Sequence, residues 1–109
     1  MTLLEQVRDY LALHPEEHDQ QTWAQRTSCG TTRCVAGTAV FLHGDEILWH
    51  SDELGIWSAY CKSADGASHH IQMRAGELLG VSGTEAFRLF TMDNSDTLKE
   101  LDRLIEYYS

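Results

Sequence analysis

Basic residues are scarce in this 109-residue chain, and their scarcity disfavours several classes of function. The chain has 8 Lys and Arg against 17 Asp and Glu, a formal net charge of -9, and no two basic residues are adjacent. Proteins that bind nucleic acids or anionic membranes usually concentrate Lys and Arg on one surface, so we expect neither partner here. An acidic surface can instead attract a basic protein.

Proline and long apolar runs are also scarce. The single proline and the 42% apolar content predict a folded chain, and the length predicts a single domain over residues 1–109. No apolar run approaches the ~20 residues that span a bilayer, and the first residues do not resemble a signal peptide. We therefore expect a cytoplasmic protein whose three cysteines are free thiols or ligands and form no disulfide framework.

Apolar residues at helical spacing predict helices in three parts of the chain. A capping box at Thr2-x-x-Glu5 predicts a first helix over 3–13, which His14-Pro15 ends. A cap-like Thr and the following Gly44 predict a central helix over 32–43, and its small residues let other elements approach it closely. The later helix signals are Met73, Leu78 and Leu79 before Gly80, and the capping boxes Ser82-x-x-Glu85 and Thr97-x-x-Glu100.

The segment between residues 46 and 72 has a different composition. Ile47-Leu48-Trp49 and the run 56–61 are rich in β-formers and are separated by a polar turn, so they predict a β-hairpin, with a third short strand around 69–72. The sequence thus predicts a mainly α fold of the α+β type. In this prediction four to five short helices surround the central small-residue helix, with an inserted β-hairpin or small antiparallel sheet.

An ordered set of motifs runs from residue 14 to residue 90. The motifs are His14-Pro15-Glu16, Asp19-Gln20-x-x-Trp23, Cys29-Gly30-Thr31-x-x-Cys34-x-Ala36-Gly37, Ala75-x-x-Leu78-Leu79-Gly80 and Leu89-Phe90. This pattern resembles a group of small actinobacterial and actinobacteriophage proteins that has no assigned activity. The resemblance implies a cytoplasmic accessory protein, encoded by a phage and made inside its host, and it implies no catalytic residues. Many members have Trp after the Ala-Gly pair, where this chain has Thr38.

Two cysteines and two histidines could form a metal site. His14, His18, Cys29 and Cys34 are four ligands of the types found in structural zinc sites. However, the C-x4-C spacing is wider than in most zinc knuckles, and a free cysteine at the start of a small-residue helix usually packs as an apolar side chain. We therefore favour packing for Cys34 and expect no cofactor, and a small zinc-binding protein is an alternative. Cys29 has no catalytic signature around it, so no enzyme is predicted.

Residues 74–91 have the outline of a helix-turn-helix, which makes a DNA-binding regulator the other alternative. The second helix would have to read bases with Thr84, Glu85 and Arg88, which are few donors for that task. We expect Phe87 and Phe90 to lie in the core. An ordinary helical hairpin is therefore favoured.

The tryptophans give the best indication of function. Trp49 and Trp57 lie on the predicted hairpin with Asp52 and Glu53 between them, and aromatic side chains ringed by polar residues are typical of protein interfaces. A two-stranded ribbon has two faces, so we expect one ring to face solvent and the other to face the helices. The alternative is that both rings pack the hairpin against the helices. The sequence predicts a non-enzymatic accessory protein that binds a host or cellular protein through these four residues, and a homodimer is compatible with that prediction.

Overall fold

The computed structural model describes residues 2–20, 22–27, 30–53 and 55–108. Within these ranges the chain forms five α-helices, and a short 3₁₀ helix at Pro15–Glu17 follows the first of them. The helices are α1 (Leu3–Leu13), α2 (Val35–His43), α3 (Ile71–Leu79), α4 (Gly83–Phe90) and α5 (Asn94–Tyr108).

Seven short strands form two antiparallel sheets. The outer sheet has the order β2-β1-β5-β4, and the inner sheet has the order β3-β6-β7. The prediction of a mainly α fold with one small β insertion is therefore wrong, because this is an α+β fold with a four-stranded and a three-stranded sheet. The strands are β1 (Ala24–Thr27), β2 (Gly30–Arg33), β3 (Glu46–Ile47), β4 (His50–Asp52), β5 (Gly55–Ser58), β6 (Tyr60–Lys62) and β7 (Ser68–His70).

Two of the strands that sequence reasoning missed precede α2. β1 and β2 are mostly polar, so the alternation that marks a half-buried strand is weak in them. β1 is an interior strand only because it pairs with β5, which lies on the far side of α2 in the chain. The predicted start of the central helix at residue 32 is wrong for the same reason, since β2 extends to Arg33. Local composition does not report such distant pairing.

The β-rich run over 56–61 is continuous in sequence but is divided between the two sheets. Ser58 ends β5 in the outer sheet, and Tyr60 begins β6 in the inner sheet. The buried Ser58 hydroxyl lies 2.7 Å from the carbonyl oxygen of Leu48 and 2.8 Å from that of Tyr60. This side chain therefore stabilises the crossing point. The predicted hairpin is replaced by a β4–β5 hairpin in one sheet and by a β3–β6 pair in the other.

The apolar core lies among the helices and the inner sheet. α2 contacts α1, α3 and α4, and buried side chains of all five helices pack with Cys61 of β6. Within the described part of the chain, no residue of β1, β2, β4 or β5 belongs to this cluster. The outer sheet therefore lies mostly beside the core, and the buried side chains of Ala24, Arg33 and Ser58 are its inner side.

Gln20 joins the loop before β1 to three helices. Its side-chain oxygen accepts a hydrogen bond from the Val35 amide at 2.8 Å, and its side-chain nitrogen donates to the carbonyl of Leu89 at 3.1 Å. Its backbone amide donates to Asn94 at 2.8 Å. Because the Gln20 side chain is buried, these bonds satisfy polar groups that would otherwise be costly.

A close backbone contact joins α2 to the start of the outer sheet. Cys34 is the N-cap of α2, and its sulfur accepts from the Gly37 amide at 3.5 Å. A Cβ atom on Gly37 would lie 1.8 Å from the carbonyl oxygen of Trp23, so only glycine fits at this position. Gln20, Trp23, Cys34 and Gly37 all belong to the motif pattern, and these motif residues therefore build a structural joint.

Several helix boundaries follow the sequence, and others do not. α1 has the predicted capping box, and Gly80, with φ 71°, ends α3 as expected. α5 begins before the predicted cap at Thr97, because the carboxylate of Asp93 accepts from the Asp96 amide and Thr97 is buried inside the helix. The expectation that Phe87 lies in the core is also wrong, since that side chain is 62% exposed.

Candidate functional site

The four predicted interface residues lie around the β4–β5 hairpin of the outer sheet. Asp52 ends β4, Glu53 is in the turn, Trp57 is in β5, and Trp49 immediately precedes β4. His50 pairs with Trp57, so their side chains share one face of the sheet, which we call the Trp57 face. Trp49 precedes β4, so the alternation of that strand does not assign its face.

Neither tryptophan packs against the helical core. Both side chains are half-buried, and among the described residues neither belongs to the core cluster or to the apolar residues packed against it. The expectation that one ring faces the helices is therefore wrong. The reason is topological, because the strands of the outer sheet contact mainly one another.

The Trp57 side chain is held by its neighbours on β4. Its indole nitrogen donates to a carboxylate oxygen of Asp52 at 3.0 Å. The His50 ring meets the indole edge-on, with ring centroids 4.9 Å apart, and its Nε2 atom lies 4.0 Å from the Asp52 carboxylate. An indole, an imidazole and a carboxylate thus form one cluster at the edge of the sheet.

Two clefts adjoin Trp57. The larger, the aromatic cleft, has a volume of about 460 Å³, and the smaller has a volume of about 310 Å³. Both volumes are in the range of sites that hold small ligands or single side chains of a partner. Trp57, Ser58 and Ala59 line both clefts. The aromatic cleft is completed by Leu48, Trp49, His50, Tyr60 and Ser68, and the smaller one by Thr22, Trp23 and Ala24.

Sequence reasoning missed the contribution of Tyr60 to this site. In one continuous strand, residues 57 and 60 would point to opposite faces, but the change of sheet between them brings both to the aromatic cleft. Tyr60 is 54% exposed and contacts the His70 ring, which in turn contacts Trp23. No local pattern in the sequence indicates this arrangement, because the crossing at Ser58 creates it.

On the opposite face of the outer sheet, the basic side chain of Arg26 contacts the Trp49 ring. The guanidinium of Arg26 lies 4.3 Å from the centre of the Trp49 ring, a distance typical of a cation–π contact. Arg26 pairs with Ile56, which is 38% exposed. The Trp49 ring is therefore partly covered by the chain itself.

The described candidates for a zinc site have separate partners. Cys34 is buried, and this burial raises the pKa of its thiol to about 12, which disfavours the thiolate that zinc requires. His18 contacts the Gln20 side chain at 3.0 Å, and His14 lies beside Glu16 and Glu17. Cys29 lies outside the described residues. The geometry of Cys34 therefore agrees with packing.

His14, Glu16 and Glu17 place three potential metal ligands within 4.8 Å of one another. The Tyr10 hydroxyl donates to Glu17 at 2.6 Å, and Arg33 lies 3.4 Å from the same oxygen. These contacts, the Tyr10 bond first, lower the pKa of Glu17. The carboxylate of Glu17 therefore already has a positive partner from its own chain.

The predicted helix-turn-helix segment forms α3 and α4, joined by residues 80–82. The exposed residues of α4 include Thr84, Phe87 and Arg88. Arg88 lies 3.7 Å from a carboxylate oxygen of Glu100. This helix therefore presents an aromatic side chain and one partly neutralised cation, which is a poor set of donors for phosphates or base edges.

A serine, a histidine and an aspartate meet in the turn between β6 and β7. The Ser63 hydroxyl lies 3.1 Å from Nε2 of His69, and it also hydrogen-bonds the carboxylate of Asp65. In a catalytic triad the carboxylate orients the histidine, whereas here it accepts from the serine itself. Asp65 also accepts from the Ala67 amide at 3.1 Å. The group therefore stabilises a turn.

Comparison with known proteins assigns this chain to no family. No family model matches it, no curated protein matches it, and no solved structure matches its fold. Among the described residues, no helix is both long enough and apolar enough to cross a membrane.

Proposed function

We propose that this chain is a non-enzymatic accessory protein that binds a host or cellular protein through the Trp57 face of its outer sheet. One observation carries the proposal. The outer sheet lies outside the apolar core, yet it holds a half-buried tryptophan between two clefts. An aromatic surface that the core does not use is typical of an interaction site.

The composition of this surface fits a protein interface. Interfaces are enriched in Trp and Tyr at their centre and have polar groups at their rim. Trp57 and Tyr60 line the aromatic cleft, and the exposed residues Asp52 and Glu53 lie at the end of the hairpin. The Trp57 face therefore has both parts of such an interface.

The neighbours of Trp57 also reduce the cost of binding. The hydrogen bond to Asp52 and the contact with His50 hold the indole in one orientation before a partner arrives. A side chain that is already ordered loses less conformational entropy when it is buried by a partner.

Affinity capture with matched variants tests the proposal. The wild type, Trp57→Ala and Tyr107→Ala are each used to capture proteins from the native lysate, and a retained partner is then titrated with each purified variant. Tyr107 is the control because it is 71% exposed on α5 and lines neither cleft. We expect Trp57→Ala to lose ~2 kcal/mol or more of binding free energy, as for an interface hot spot, and Tyr107→Ala to bind like the wild type.

The free energy of unfolding of both variants is measured in parallel. Because Trp57 is outside the core cluster, its truncation should cost clearly less stability than the ~3 to 5 kcal/mol of a core aromatic. A partner that binds folded Trp57→Ala as tightly as it binds the wild type would contradict the proposal.

A further inference from the structure

The β4 strand has one paired edge and one open edge. β4 is the last strand of the outer sheet, and within the described part of the chain it pairs with β5 alone. All three of its residues, His50 to Asp52, are exposed. The open edge of such a strand presents backbone donors and acceptors that an extended segment of another chain can pair with.

The side chains beside this edge combine an aromatic ring with negative charge. Asp52 lies on β4 itself and accepts the indole hydrogen bond of Trp57, and Glu53 follows it in the turn. A residue of an added strand directly opposite Asp52 would lie ~5 Å away from it. A basic residue at that position would therefore meet the carboxylate and lie next to the aromatic cleft.

Two aromatic rings of this chain already bind guanidinium groups. Arg26 lies over Trp49 at 4.3 Å, and Arg33 lies over Phe41 at 3.8 Å. The Trp57 ring contacts His50 edge-on and lines the aromatic cleft together with Tyr60. The electron-rich faces of Trp and Tyr attract Lys and Arg, and most strongly where a carboxylate is nearby and water is partly excluded.

The net charge of this chain indicates whether a second copy or a segment of a different protein pairs more favourably with the open edge of β4. A second copy of this chain would bring a further charge of -9 and its own Asp52 and Glu53, and repulsion between like charges opposes such pairing. A basic segment of a different protein is attracted by the same charges. Charge complementarity therefore favours the basic segment.

We propose that the occupant is an extended, Lys- or Arg-bearing segment of the partner protein, which adds to β4 as a strand and places a cationic side chain in the aromatic cleft. This inference rests on the proposed function and specifies the chemistry of its partner. The backbone pairing supplies affinity, and Asp52 with Trp57 and Tyr60 selects the cation.

Synthetic peptides test this chemistry directly. The probe is a short peptide in which Arg or Lys alternates with Val. The first matched control replaces every basic residue with Glu, and the second keeps the sequence but carries N-methyl groups on alternate backbone amides, which block strand pairing. We expect the basic peptide to quench tryptophan fluorescence and to shift the amide resonances of β4, with an affinity that falls as salt is added. The two control peptides should not bind.

Variants of the protein locate the site. Asp52→Asn keeps an acceptor for the indole but removes the charge. It should lower the affinity for the basic peptide about tenfold, as expected for the loss of one close charge contact. Trp57→Ala should lower the affinity for the peptide at least as much, and the control Tyr107→Ala should leave this affinity unchanged. Equal binding of the Arg and Glu peptides, or full binding to folded Trp57→Ala, would overturn the inference.

Two further outcomes separate this inference from the proposed function. The first is a captured partner that requires Trp57 for binding, is not displaced by the basic peptide and retains its affinity in salt. This result would leave the proposed function standing and overturn the basic-segment inference. Dimerisation of the wild type in sedimentation equilibrium that Ser51→Pro abolishes would assign the β4 edge to a second copy, and this result would also overturn the inference.

Discussion

The helical core and the outer sheet of this protein are organised differently. The core is built from apolar side chains of five helices and of Cys61 in the inner sheet, and many of these side chains are fully buried. The outer sheet is made largely of polar residues and is held by strand pairing and by a few specific contacts at Gln20, Trp23 and Gly37. The Trp57 side chain of this sheet is therefore not part of the core cluster.

In this chain the residues that stabilise the core and the residues that we assign to binding lie in different regions. Residues that stabilise the fold by excluding water lie in the helices, where substitution leaves a cavity. Residues that we assign to binding lie where substitution should change the surface more than the core. Three predictions test this division, and the first concerns the joint between the two regions.

Gly37→Ala should be the most damaging of these changes. The added Cβ atom would lie 1.8 Å from the Trp23 carbonyl oxygen and 3.1 Å from the Cβ atom of Arg33, so either α2 or the start of the outer sheet must move. We expect a loss of ~3 kcal/mol or more in the free energy of unfolding, measured by urea denaturation.

Gly76→Ala is the matched control for that substitution. Gly76 is also inside a helix, but a Cβ atom there would meet the Ala86 side chain at 3.6 Å, which is an ordinary contact. Alanine should therefore stabilise α3 by roughly 0.5 to 1 kcal/mol. Equal effects of the two substitutions would show that the close contact at Trp23 is not what requires glycine at position 37.

Leu89→Ala and Ile56→Ala compare the two regions directly. Leu89 is fully buried in the core cluster, so its truncation should cost ~2 to 5 kcal/mol. Ile56 is 38% exposed on the outer sheet, and its truncation should cost about 1 kcal/mol or less. Both values come from chemical denaturation followed by circular dichroism. Similar costs would mean that the outer sheet is as much a part of the cooperative core as the helices are.

Glu17→Gln should have a smaller effect that depends on pH. The Tyr10 hydrogen bond and Arg33 lower the pKa of Glu17 below its ordinary value of 4.5. Because the folded pKa is below the unfolded pKa, the stabilisation is complete well above pH 4.5 and is lost as pH falls through the folded pKa. The variant should therefore be less stable than the wild type by ~1 kcal/mol at neutral pH.

The difference between Glu17→Gln and the wild type should disappear in acid. This difference is obtained from unfolding free energies measured at a series of pH values. Tyr10→Phe supplies a second measure of the same contact. A difference that stays constant from neutral to acid pH would show that the charge of Glu17 contributes nothing and that the effect comes from shape alone.

Much of the helical structure was predictable because its signals are local. The capping box at Thr2, the left-handed glycine at position 80 and the cap at Ser82 each act within a few residues of themselves. The outer sheet was not predictable in this way. Its interior strand β1 depends on partners on either side, one of which lies beyond α2, and strand pairing of this kind is non-local.

The candidate site was predictable only in part. The sequence predicts an interface at Trp49, Asp52, Glu53 and Trp57, and the structure places all four around one hairpin. Tyr60 was missed because it reaches the site only through the change of sheet at Ser58. The contact of the Trp49 ring with Arg26, on the face opposite Trp57, is seen only in the structure, because Trp49 precedes β4 and the alternation of that strand does not extend to it.

The sequence by itself determined the charge, the starts of α1 and α4, the end of α3 and the presence of aromatic residues in a polar segment, because each depends on composition or on neighbours along the chain. The tertiary structure alone decided that the outer sheet lies beside the core, that Trp57 and Tyr60 share a cleft, and that position 37 must be glycine. The physical reason is the same in the three cases. Each depends on contacts between segments that are distant in sequence, and the residues of one segment do not indicate which other segment they contact.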